Sequence, residues 1–159
     1  MPVGIALGSN LGESKEIFYQ TLVELKMIHQ GKEEAFLVSS FYTTTPVECP
    51  PQSPLFLNAV VQLETEIAPL ELLSILQLME VKAGRSRAQI YHAPRTLDLD
   101  LLYHDSLVTV TALLQLPHPR IRDRIFVLKP LVEINPHLIL PGWNQTAESY
   151  LQILEAQNI

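Results

Sequence analysis

All six arginines and all four aspartates of this 159-residue chain fall between positions 85 and 124. They are Arg85, Arg87, Arg95, Arg120, Arg122 and Arg124, with Asp98, Asp100, Asp105 and Asp123. At the centre of the window runs Ala93-Pro94-Arg95-Thr96-Leu97-Asp98-Leu99-Asp100-Leu101-Leu102, in which two aspartates alternate with leucines. Residues two apart in a strand share a face, so Asp98 and Asp100 point one way and Leu97, Leu99 and Leu101 the other. Aspartate is a poor strand former, so this pair works against local preference, as functional positions often do. Solvated carboxylates on an exposed strand face are the plain alternative. Two carboxylates beside several guanidiniums are what a magnesium polyphosphate site requires, because the metal wants hard oxygen ligands and the anion wants a fixed cationic clamp.

Arg85 and Arg87 follow Gly84 in a loop, and Arg95 opens the acidic strand. Arg120, Arg122 and Arg124 straddle a helix start, where only some can face one pocket. A solvated helix face is the default for Arg120 and Arg122, and Arg124 is favoured as the ligand contact. His118 lies between Pro117 and Pro119, which restrain its backbone and aim its ring, although a turn histidine with no further role has the same surroundings. Phe56 and Phe126 taken singly are core residues. Asn58, on the same strand face as Phe56, needs a hydrogen-bond partner if buried. A flat heterocycle stacked on the aromatics and bonded by the amide would satisfy both. Gly8-Ser9-Asn10-Leu11-Gly12 reads first as a turn and cap, since no P-loop or GxGxxG pattern accompanies it.

These residues need elements to hold them. Val3 to Leu7 is a short apolar run and predicts a buried strand. From Glu13 to Ile28 the apolar spacing predicts a helix. Phe36–Tyr42 and Phe56–Glu66 are β-prone, and Pro46, Pro50, Pro51 and Pro54 impose an irregular loop between them. A helix is predicted from Leu70 to Val81 with Gly84 ending it, then the acidic strand to Tyr103. Beyond the Pro117-His118-Pro119 break, a helix from Arg122 to Leu128 should stop before Pro130, and Gln145 to Glu155 forms a terminal helix. The order strand, helix, strand, strand, helix, strand predicts an α+β ferredoxin-like sandwich: an antiparallel sheet with helices on one face and a C-terminal extension.

Composition sets the outer limits. The length suits one domain spanning residues 1–159. With 47% hydrophobic and 18% charged residues, the chain is globular rather than disordered. A net charge of -6 argues against a nucleic-acid binder, so the local arginines suggest a small anionic ligand. Cys49 is the only cysteine, which rules out an intrachain disulfide and a thiolate metal cage. The start has no signal-peptide pattern and no run suggests a membrane span, so a cytoplasmic, soluble protein is expected.

In their order along the chain, Gly8-Ser9-Asn10-Leu11-Gly12, Phe56-Leu57-Asn58-Ala59, the acidic strand from Ala93 to Asp100, Pro117-His118-Pro119-Arg120 and Arg124 resemble the 6-hydroxymethyl-7,8-dihydropterin pyrophosphokinase family. That family moves pyrophosphate from ATP to a pterin alcohol in folate synthesis. The resemblance implies that Asp98 and Asp100 hold two magnesium ions between the ATP phosphates and the pterin hydroxyl, with Arg95 and Arg85 beside the reacting groups. It implies that Phe56 and Phe126 sandwich the pterin, that Asn58 reads its polar edge, and that Thr45, Pro46 and Val47 line the same pocket. Gln77, Glu80, Arg87, Arg95, His118 and Arg124 resemble the ATP contacts, and the 46–54 and 84–94 segments resemble two lids. Tyr91 and His92 depart from the family pattern, which commonly has a basic residue and an aromatic there. This departure motivates a second possibility, a binding module that keeps the pterin or nucleotide pocket without catalysis.

Overall fold

The computed structural model describes residues 1–9, 14–44, 56–85 and 97–157. Among these the strands are β1 (Pro2–Ser9), β2 (Leu37–Val38), β3 (Tyr42–Thr44), β4 (Phe56–Glu64), β5 (Asp98–His104), β6 (Thr109–Val110) and β7 (Gln115–Leu116). The helices are α1 (Ser14–Ile28), α2 (Pro69–Arg85), α3 (Ile125–Ile134) and α4 (Ala147–Gln157). The fold is α+β, with an antiparallel main sheet in the order β2-β4-β1-β5 and β3 also paired to β4. β6 and β7 form a separate small hairpin.

Period-two alternation divides the sheet into two faces. Val3, Ile5 and Leu7 of β1, Leu57 to Leu63 at odd positions of β4, and Leu99 and Leu101 of β5 point to one side. There they are buried against Phe18 and Leu25 of α1 and Leu72, Leu76 and Met79 of α2. On the other side, Ala6, Val60, Leu102 and Tyr103 pack against Val127, Leu128 and Leu131 of α3 and Ala147 and Leu151 of α4. The helices therefore cover both faces, and the C-terminal part of the chain forms the second cover rather than an appendage.

A register shift lies between Gly4, which is opposite Tyr103, and Ile5, which is opposite Leu101. The extra residue on β5 is a bulge, and it lets Leu102 and Tyr103 both join the second core. The Tyr103 ring lies directly on Gly4, in space that any side chain at position 4 would occupy.

Several elements differ from the sequence-based expectation for identifiable reasons. The Phe36–Tyr42 stretch splits into β2 and β3 because Ser39 interrupts it. The Ser39 N–H donates to the Val60 carbonyl, while its hydroxyl accepts the Val60 N–H at 2.9 Å, so a side chain replaces one rung of the ladder. Gly84 lies within α2 rather than ending it. A helical glycine costs only about 1 kcal/mol relative to alanine, and Ala83 packs on the first core. The helix expected at 122–128 begins instead at Ile125 and passes through Pro130 to Ile134. Pro130 forfeits one hydrogen bond, but Val127, Leu128, Pro130 and Leu131 are all buried, and their packing carries the helix across the gap. No described helix is long and apolar enough to cross a membrane.

Candidate active site

The acidic strand behaves as its alternation requires. Asp98 and Asp100 are exposed on the α3 side of the sheet, while Leu99 and Leu101 are buried on the other. Strand register then sets their neighbours: Gly8 pairs with Asn58 on one side and Asp98 on the other, and Ala6 likewise lies between Val60 and Asp100. Two small residues, Gly8 and Ala6, thus form the floor between the carboxylates and the Asn58 amide. A cleft of about 660 Å³ opens above them, walled by Thr44, Phe56 and Asn58 on one side and Asp98 and Asp100 on the other. Arg120, Asp123, Arg124 and Phe126 close it from the α3 side.

Asn58 is buried, and its Nδ2 donates to Thr44 Oγ1 at 2.9 Å. The partner a buried amide requires is therefore supplied by the neighbouring strand. Thr44 was not singled out in the sequence. It shares a strand face with Tyr42, two residues away, and precedes the expected contacts Thr45, Pro46 and Val47, which lie outside the described residues. Phe56 lines the same cleft as Phe126, whose ring is 40% exposed and has the Arg124 guanidinium 5.8 Å from its centroid. An aromatic left this open inside a cleft is available for stacking.

The three arginines from 120 to 124 separate differently from the expectation. Arg120 is exposed as expected, yet it lines the cleft together with Arg124 rather than standing apart from it. Ile121–Asp123 form a 3-10 turn that begins directly after Arg120, and residues three apart in such a turn lie one above the other. Arg120 and Asp123 therefore fall on one side, and Asp123 is a cleft residue to which the sequence pattern assigned no role. Arg122 turns away, with its guanidinium 5.2 Å from the Tyr150 ring centroid and 6.0 Å from that of Trp143.

His118 is fixed at both ends of its backbone and ring. Its N–H donates to the Leu102 carbonyl at 2.7 Å, and its Nδ1 accepts the Arg120 N–H at 3.1 Å. The neutral ring accordingly carries its proton on Nε2. Burial holds its pKa below the ordinary 6.5, and Arg124 and Arg120 push the same way against the opposing pull of Asp100.

Glu80 of α2 reaches the acidic strand itself, where Oε2 accepts the Leu99 N–H at 2.8 Å. Gln77 is exposed on the same helix, and Arg85 is its last residue. Arg87, Arg95, Tyr91, His92 and the Asn10–Gly12 turn lie outside the described residues, as do most of the two expected lids. The glycine turn is bracketed by a 3.0 Å hydrogen bond between the Ser9 and Ser14 hydroxyls. Among the described residues no three His, Cys, Asp or Glu side chains gather as a metal cage. Asp98 and Asp100 are a pair, which suits an ion that completes its shell with water and phosphate.

Residues 4–136 match the family described as 7,8-dihydro-6-hydroxymethylpterin-pyrophosphokinase (HPPK). This chain belongs to that family. The HPPK chain is 39% identical over 146 residues to the 2-amino-4-hydroxy-6-hydroxymethyldihydropteridine pyrophosphokinase of Pseudomonas aeruginosa, covering 92% of this chain and 88% of that protein. It is 35% identical over 156 residues to a folic acid synthesis protein of Schizosaccharomyces pombe, covering 98% of this chain but only 21% of the relative. A solved Plasmodium falciparum HPPK-DHPS structure superposes on 98% of the chain with a TM-score of 0.75 at 12% identity, a likeness of fold that spans 43% of that longer chain.

Proposed function

We propose that this HPPK chain transfers the pyrophosphoryl group of ATP to the hydroxymethyl oxygen of a 6-hydroxymethyl-7,8-dihydropterin, releasing AMP, as a step of folate synthesis. The observation that carries the reading is the single cleft in which Asp98 and Asp100 share a floor with the Phe56, Asn58 and Phe126 group. One end has the chemistry for a charged phosphate chain and the other for a flat polar ring. In the reaction the hydroxymethyl oxygen forms a bond to the β-phosphorus, the bond from that phosphorus to the bridging oxygen of AMP breaks, and the hydroxyl proton is lost.

On this reading Phe56 and Phe126 stack the ring while Asn58, held by Thr44, meets its polar edge. Arg120 and Arg124 take the phosphate oxygens from the α3 side, and Arg85, Arg87 and Arg95 add further positive charge from the 85–95 segment. His118 stays neutral and donates from Nε2 toward the nucleotide. Gln77 and Glu80 complete the ATP side. Asp98 and Asp100 are acceptor-only groups open to the cleft, a donor set that fits magnesium, and two ions are proposed there. Magnesium so held would neutralise phosphate charge and make the attacking hydroxyl easier to deprotonate. Most of the protein's contribution is alignment of two substrates and stabilisation of charge spreading over phosphate oxygens.

The strand order β2-β4-β1-β5, all antiparallel, supports a ferredoxin-like sandwich. One pyrophosphokinase domain over residues 1–159, acting in the cytoplasm on small molecules without nucleic-acid or membrane partners, completes the reading. The test is separation of products from ATP, pterin and magnesium. AMP and the pterin diphosphate should appear in equal amounts and only when all three are present. Pterin and ATP binding without AMP would establish the non-catalytic module instead.

A further inference from the structure

Glu133 stands outside the cleft, at the far end of α3, yet its carboxylate collects donors from the opposite wall. The Ser40 N–H lies 2.9 Å from Oε1 and 3.1 Å from Oε2, the Ser40 hydroxyl donates to Oε2 at 2.7 Å, and the Tyr42 hydroxyl donates to Oε1 at 2.6 Å. These donors come from the β2–β3 connection and from β3, 91 to 93 residues away in the chain. The Lys129 ammonium, one helical turn before Glu133, lies 6.0 Å from the Tyr42 ring centroid. Burial tends to raise the Glu133 pKa, but the bonds from Tyr42 and Ser40 outweigh it and hold the group below its usual value, while Tyr42 is pushed up to about 12. The donor and acceptor roles are therefore stable across neutral pH.

Both partners of this clamp lead to the ring end of the cleft. Tyr42 is paired with Asn58, and Thr44, two residues on and on the same face, takes the Asn58 hydrogen bond. Phe126 lies seven residues before Glu133 on α3, hence on nearly the same face of the helix two turns away. One helix is thus tied at its C-terminal end to the strand that orients Asn58, and presents at its N-terminal end a ring that lines the cleft with Phe56. We propose that Glu133 is a positioning residue for the pterin: through Ser40 and Tyr42 it sets the separation between Phe126 and the Phe56–Asn58–Thr44 wall.

The inference rests on the reading that this end of the cleft takes the flat ring. Its test is kinetic and direct. Glu133→Gln keeps the volume and one carbonyl acceptor but loses the charge and one of the two acceptor oxygens, so the clamp loosens. KM for the pterin should rise about tenfold, as expected for losing a hydrogen-bonded charge, while KM for ATP stays unchanged. Tyr42→Phe should move the pterin KM the same way but less, and the double variant should add less than the product of the two. Equal changes in both KM values, or an altered melting temperature with the pterin KM unmoved, would overturn the proposal. Fluorescence titration of pterin into wild type and Glu133→Gln separates the two levels of inference. If wild type releases no AMP but binds pterin about tenfold more tightly than the variant, the activity fails and the positioning role stands. If neither protein binds pterin, both fail.

Discussion

Glu80 takes the backbone N–H of Leu99 at 2.8 Å, and Leu99 is the residue between the two cleft aspartates. Among the described residues β5 ends the strand order of the main sheet, and no further described strand bonds its outward N–H groups. A carboxylate from α2 takes the place of that missing strand and holds the backbone on which both metal-binding candidates are mounted. Glu80→Ala leaves the donor without this partner and should lower turnover about tenfold through loosened aspartates, the loss expected for a bond of about 1–3 kcal/mol. Glu80→Gln retains a carbonyl acceptor and should restore most of the activity. Parallel assays of the two variants decide between this role and a direct contact of the Glu80 charge with nucleotide, for which Gln would be as poor as Ala.

Asp98 and Asp100 contribute oxygen atoms to the cleft and little to the cores. Asp98→Asn and Asp100→Asn should each reduce turnover by a factor on the order of 10² to 10³, the scale for removing one electrostatic stabiliser of a transition state. Stability should change by no more than about 0.5 kcal/mol, because both side chains are exposed. Turnover in saturating magnesium together with thermal unfolding checks this. A variant with full activity would remove the metal assignment.

The acidic strand was legible because its information is local: alternation with period two decides which face each side chain takes, whatever the rest of the chain does. The same holds for the common face of Phe56 and Asn58. The cleft roles of Arg120 and Asp123 were passed over because which side of the 121–123 turn meets the cleft is set by how α3 packs on the sheet, not by the local pattern. Glu133, and the bond Glu80 makes to the Leu99 backbone, were beyond local reading, although the family resemblance names Glu80 as an ATP contact. The partners of Glu80 and Glu133 lie 19 and up to 93 residues away, and a carboxylate on a helix carries no mark of the backbone it will meet. Pro130 shows the converse, a strong local signal overruled by burial on both sides of it.

The arginines from 120 to 124 should separate function from packing. Arg120→Ala and Arg124→Ala remove cleft charge and should weaken ATP binding about tenfold each, the loss expected when a charged hydrogen-bond partner goes. Arg122→Ala instead removes a cation from the Trp143 and Tyr150 rings and its hydrogen bond to the Tyr150 hydroxyl. That change should leave KM for ATP alone and cost about 0.5–1 kcal/mol of stability. Nucleotide titration and thermal unfolding of the three variants give the comparison, and an ATP defect in Arg122→Ala matching the other two would contradict the sidedness of the turn.

Gly4 and Gly8 share one strand and one face, yet their substitutions should fail in opposite ways. A Cβ at position 4 would overlap the buried Tyr103 ring, which is hemmed in by the second core and cannot retreat. Gly4→Ala should therefore destabilise the protein by about 1–3 kcal/mol or more, the usual cost of overpacking. At position 8 the nearest atom to an added Cβ is Asn58 Oδ1 at 3.7 Å, an ordinary contact, so the methyl fits the fold. It would stand instead on the cleft floor between Asn58 and Asp98, where the proposed substrates would lie. Gly8→Ala should keep the wild-type melting temperature and lose substrate affinity, with Gly8→Val losing more. Unfolding and KM measured on the same preparations test the pair: a destabilised Gly8→Ala with normal KM values would mean that the floor of the cleft is not where the substrates lie.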